Sequence, residues 1–151
     1  MPISITTAMP TSFKVEILRA VHNFTASTGN TFKIALLKST ASGSGTFGAA
    51  TTNYSNLGTD ELPTATGYTQ TGNTLTSITP VASGTTAVCD FDDTSWTSAT
   101  FTTCGALIYN STASGAACAV LSFGGDQTVS SGDFTIQFPV AGASTAIIRI
   151  A

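Results

Sequence analysis

A chain of 151 residues with 42% hydrophobic positions, nine of them Phe, can bury close to 70% of the surface that its unfolded form exposes, so one domain with a real core is expected without disulfide staples. Only 9% of positions are charged, against about 25% in an ordinary domain, which leaves Ser, Thr, Gly and Ala to cover most of a surface of roughly 7,000 Å². A net charge of −3 with five scattered basic residues excludes a phosphate-tracking patch, so nucleic acid is not an expected partner. No run approaches the eighteen apolar residues of a membrane span, so a membrane is not expected either.

A thinly charged surface suits contact with further protein copies, because charges are costly to desolvate inside an interface whereas small hydroxyls pack closely. The competing reading is the Ser/Thr-rich surface of a secreted protein. The opening "MPISITTAMPTSFK" lacks the basic and apolar regions of a signal peptide. The chain is therefore expected to be made and kept in a cytoplasm, or to leave it without a cleaved signal.

After an N-terminal arm (1–10), "TSFKVEILRAVHNF" predicts a helix over about 12–24, capped by Thr11 or Ser12 behind Pro10. Phe13, Ile17, Ala20, Val21 and Phe24 fall on one helical face, with Lys14, Arg19 and Asn23 opposite. "TFKIALLKS" is the first strand, with Phe32, Ile34 and Leu36 on one face and Lys33, Ala35 and Leu37 on the other; two largely apolar faces imply cover on both sides. A long Gly/Ser/Thr-rich loop follows over about 40–62, with room for a helical turn in "TTNYSNL", and its length marks it as a contact arm. From Thr74 onward "TLTSITPV", "TAVCDFDD", "SWTSATF", "CGALIYN", "ACAVLSF", "DFTIQFP" and "TAIIRIA" read as seven strands, separated by "ASG", "STASG" and "GGDQTVSSGD". The expected fold is mainly β: a single antiparallel β-sandwich or jelly-roll-like domain with one N-terminal α-helix.

Chemistry-bearing residues are few. Cys89, Cys104 and Cys118 sit singly in apolar runs, without a CxxC pair or a nearby His, and read as buried thiols. His22, the single histidine, reads as structural or surface; an enzyme would have to gather it with an acid and a nucleophile. Asp90, Asp92 and Asp93 lack the Gly and Glu of an EF-hand loop and read as a solvated strand end, and Asp126 and Asp133 bracket what looks like a turn. No catalytic activity, cofactor or metal is expected. Tyr54, Tyr68, Trp96 and Tyr109 could stack on a sugar or pack in the core. The triplets beginning at Asn23, Asn53 and Asn110 match a glycosylation acceptor, as this much Ser and Thr will do by chance.

"TSFKVEILRAVHNF" with "TFKIALLKST", "TDELPTATGYTQTGNTLT", "DFDDTSWTSATFTTCGALIYN" and "AVLSFGGDQTVSSGDFTIQFP" together resemble a group of small virion structural proteins of tailed bacteriophages, over nearly the whole chain. The resemblance implies a virion component, and specifically a capsid decoration or cement protein. Its implied partners are the major capsid protein and itself, as a homotrimer, on the capsid surface of a particle assembled in the bacterial cytoplasm. Under this reading the arm or the passage Ala41–Leu62 reaches to a neighbouring subunit or the lattice. Ile3, Ile5, Met9, Tyr68, Trp96 and Ile148 are the expected contact residues. The alternative is a tail or fibre-associated module that presents Tyr68, Trp96 or Tyr109 to a host surface glycan.

Overall fold

A computed structural model describes all residues from Met1 to Ala151. In chain order the elements are β1 (Ser4–Ile5), α1 (Thr11–Leu18), β2 (Phe32–Leu36), β3 (Thr46–Phe47), a 3-10 helix (Tyr54–Asp60), β4 (Asn73–Leu75), β5 (Ser77–Ser83), β6 (Thr86–Phe91), β7 (Thr94–Asn110), β8 (Ala116–Ile136) and β9 (Ile148–Ile150). The alternation in "TFKIALL" is realised in full. Phe32, Ile34 and Leu36 enter one apolar cluster, and Ala35 and Leu37 enter a second on the opposite face. The sheet that contains β2 is therefore covered on both sides.

That sheet has the order β4-β2-β7-β8 and is antiparallel throughout. A second antiparallel sheet, β5-β6-β9, lies against it. Phe24 and Phe32 stack with centroids 4.3 Å apart, and Phe91 of the second sheet closes on Phe32 at 5.7 Å. The result is the mainly β, sandwich-like domain that the strand pattern predicts. No Lys or Arg pairs with a carboxylate, and the contact between His22 and Glu16 is a hydrogen bond from the imidazole.

The helix is shorter than the predicted 12–24. Its N-cap is Pro10, without a side-chain cap, and it ends at Leu18. There the Val21 N–H reaches back to the Glu16 carbonyl and the Ala20 N–H to that of Ile17, the paired bonds of a Schellman ending. Ala20 takes the left-handed position at φ +57° that glycine usually fills. Phe24 does reach the core, but from an extended segment, and Val21 is left exposed.

Two further expectations are corrected. "SWTSATF" and "CGALIYN" form one strand of 17 residues, β7, while "ACAVLSF" and "DFTIQFP" belong to one of 21, β8. The Gly/Ser stretch between the latter is not a loop. It carries β-bulges, where Gly124, Gly125 and Ser131 have positive φ, matched by Ser98 on β7. "TLTSITPV" divides instead, sending β4 and β5 to different sheets.

Nor is the N-terminal segment a free arm. Ser4 and Thr6 donate to Gly45 and Phe47 carbonyls, and Ala8 exchanges two backbone bonds with Val120. The passage 40–62 is likewise folded onto its own chain. It holds β3 and the 3-10 helix, whose cap is a reciprocal pair between Asn53 and Asn56. Asp60 pins its start by accepting from the Ser44 and Gly45 amides.

Candidate functional site

The six expected contact residues are used inside the fold. Ile3, Tyr68, Trp96 and Ile148 are buried, while Ile5 and Met9 are half-buried against the same two clusters. Tyr109 is buried as well, and Tyr54 stacks on it at 4.5 Å. The aromatic platform imagined for a glycan therefore does not form, because these rings pack against one another and against β7. Of the sequon asparagines, Asn110 is wholly buried.

What Tyr68 does instead is visible in its bonds. Ala65 and Tyr68 pair reciprocally across Thr66-Gly67, a tight turn in which Gly67 has φ +81° and no room for a Cβ, which would lie 2.6 Å from the Ala99 Cα. The turn drives the phenol inward. Its hydroxyl accepts from the Leu36 N–H and donates to Glu61 Oε1, while Tyr54 donates to Oε2 and the Thr71 N–H also reaches Oε1. Tyr109 closes the set on the Thr71 carbonyl. A buried carboxylate thus accepts three hydrogen bonds, two on Oε1 and one on Oε2, as burial demands. Burial, then the charge of Glu61, raises the Tyr68 phenol well above its ordinary range, and the same causes push Tyr109 up to about 12. These phenols remain protonated donors. The cluster is a lock on the chain, and the sequence signal that could have disclosed it was a pair of acids, Asp60 and Glu61, heading an otherwise uncharged stretch that holds Tyr68.

His22, an acid and a nucleophile do come together. His22 Nε2 donates to Glu16 at 2.9 Å, Nδ1 accepts from Asn110 Nδ2 at 3.0 Å, and the Cys118 sulfur lies 3.9 Å from Nδ1. Asn110 is oriented by the Ala113 N–H on its oxygen, so the imidazole is held as the Nε2–H tautomer. Its side chain has no solvent exposure, Phe13 packs on it at 4.8 Å, and burial drives the Cys118 thiol far above its ordinary range. The arrangement keeps the thiol protonated and ties α1 to the end of β7.

The other two cysteines are free and buried as expected, with thiols pushed up to about 12 at Cys89 and about 11 at Cys104 by the same desolvation. Asp90 departs from its expected solvated position. It is 1% exposed, one oxygen accepts from the Phe91 N–H, and the other has no partner. Desolvation raises its carboxyl above the ordinary value. Asp92 and Asp93 are exposed, and Asp93 accepts from the Phe138 N–H; the three do not converge on a metal position.

The open chemistry lies at the far half of the β7–β8 hairpin. Trp96, Phe101 and Phe134 share one face, with ring centroids 5.4 to 5.9 Å apart between Phe134 and the other two. Beside them Leu121, Phe123, Ile136, Phe138 and Ile147 border an open groove of about 540 Å³, and none of its lining residues is charged. The opposite face is a hydroxyl ladder, with Ser95 bonded to Thr135 and Thr102 to Thr128. The outer edge of β8 is covered as far as Ser122 by Asn53, Ala8 and Thr7, and beyond that no strand pairs with it. No helix is long and apolar enough to cross a membrane. No protein-family model, curated protein or solved structure matches the chain.

Proposed function

We propose that the protein is a bacteriophage virion structural subunit, a capsid decoration protein that binds the outer capsid surface as a homotrimer and stabilises the shell. The observation that supports this reading is the far half of the β7–β8 hairpin. One face is a dense hydroxyl ladder, the other borders an uncharged apolar groove, and such a surface loses little when pressed against protein. The likeness of the five segments named above to phage virion proteins points the same way.

The body is rigid in this account, because its N-terminal segment and the passage 40–62 are bonded to their own chain. Stabilisation then comes from surface contact rather than a reaching arm. Three weak contacts per trimer act together, since the second and third form at the high effective concentration set by the first. The test is to mix purified protein with capsids that lack it and sediment them. Co-pelleting at a fixed stoichiometry, with shells that survive higher temperature, is expected. Protein that stays in the supernatant at saturating concentration overturns the assignment.

A further inference from the structure

We infer that the groove beside Phe134 is the seat of a second copy of this chain, entered by Val140 of that copy. This deepens the decoration reading by naming its subunit seam, and rests on that reading for its biological setting only. Three observations carry it. First, the groove and its knob are neighbours. Phe138 and Pro139 form one wall, and the next residue, Val140, is 87% exposed and projects with no cover from its own chain. Each copy can then offer its knob to one neighbour and receive a knob from another, as the head-to-tail contacts of a closed ring such as a trimer require.

Second, the chemistry favours a protein occupant that is itself uncharged. The lining is mostly apolar and none of its residues is charged, and with 9% charged residues a second copy brings few ions to desolvate. Third, the chain leaves this wall uncovered, because every residue of β8 from Leu121 to Ile136 is partly or fully exposed.

Strand-to-strand pairing along β8 is not the mode. The bulges at Gly124, Gly125 and Ser131 break the edge, the usual way that edges are blunted, so the contact is made through side chains.

The experiment is sedimentation velocity across a concentration series on the full chain, with Val140→Asp, and with Leu18→Asp as a control at another site that is 89% exposed. The wild type and Leu18→Asp are expected to associate, and Val140→Asp to remain monomeric with an unchanged melting profile, its apparent Kd raised at least tenfold. A wild type that is monomeric at 100-fold the concentration used for capsid binding (about 1 µM to about 100 µM) overturns the inference, as does a Val140→Asp variant that associates like the wild type. Association that persists while capsids fail to bind would refute the decoration role and leave this seam standing; a dimer in place of a trimer would correct only the copy number.

Discussion

The two halves of the β7–β8 hairpin are continuous in hydrogen bonding yet opposite in surroundings. In the near half, Gly105–Asn110 and Ala116–Val120 are buried on both faces, with Leu107 and Ala117 in one apolar cluster and Ile108 and Cys118 in the other. In the far half only Thr94, Trp96, Ala99, Phe101 and Thr103 are buried on β7, and every residue of β8 beyond Val120 is partly or fully exposed. The same pair of strands thus reads as continuous apolar runs where its own chain covers both faces and as an alternation interrupted by bulges where it covers one. Under the proposed seam, this far half is the part that a second copy covers.

Three substitutions would break or sharpen that contrast. The largest effect is expected for Leu107→Ala in the near half, where a wholly buried side chain leaves a cavity costing about 2–5 kcal/mol. Val129→Ala, on the half-buried far strand, should cost about 1 kcal/mol or less. Urea midpoints measure both, and equal losses would mean that the two halves are equally covered. Tyr68→Phe comes next. It strips the Leu36 amide of its acceptor and Glu61 of a donor, for a loss of about 1–3 kcal/mol; a neutral result would show that the lock around Glu61 does not hold the 65–68 turn to β2.

The smallest change, and one of opposite sign, is expected on the second sheet. The Asp90 carboxyl has an ordinary value of 3.8 and is raised in the fold, chiefly by desolvation and further by the charge of Asp93, against a lowering bond from the Phe91 amide. The folded state therefore holds the proton more tightly than the unfolded one, so stability falls as pH rises through that interval and the cost is fully present at neutral pH. Asp90→Asn should raise Tm at pH 7 by about 2–4 °C, with the gain shrinking as pH falls toward 3.8. A variant less stable than the parent at pH 7 would show that the ionised carboxylate has a partner there.

Much of this was legible in the residues. Period-two alternation placed β2 and both of its faces, and the turn chemistry of "STASG" placed the hairpin end. The failures have physical causes. Phe13, Ile17, Val21 and Phe24 keep helical spacing, but spacing does not disclose that Ala20 adopts a left-handed conformation and stops the helix. "GGDQTVSSGD" reads as a loop in the sequence because bulges recruit the same Gly and Ser that turns do. Of the groove, the walls were visible as strand residues. Their meeting was not, since it brings Ile147 to Phe123 and Leu121 across a chain reversal that no local pattern encodes.

The docked N-terminal segment imposes an order of events during synthesis. Ala8 must wait for Val120, 112 residues later, which at ribosomal rates of about 5–20 residues per second is a delay of roughly 6–22 s. Its companions Ile3 and Ile5 belong to a core cluster whose β7 and β8 members emerge equally late. The hairpin, closed by the short turn after Asn110, can zip as soon as it leaves the tunnel, because a loop of that length closes in well under a microsecond. The segment made first can pair with β3 early, but its bonds to Val120 complete the docking only when the final third of the chain has been made.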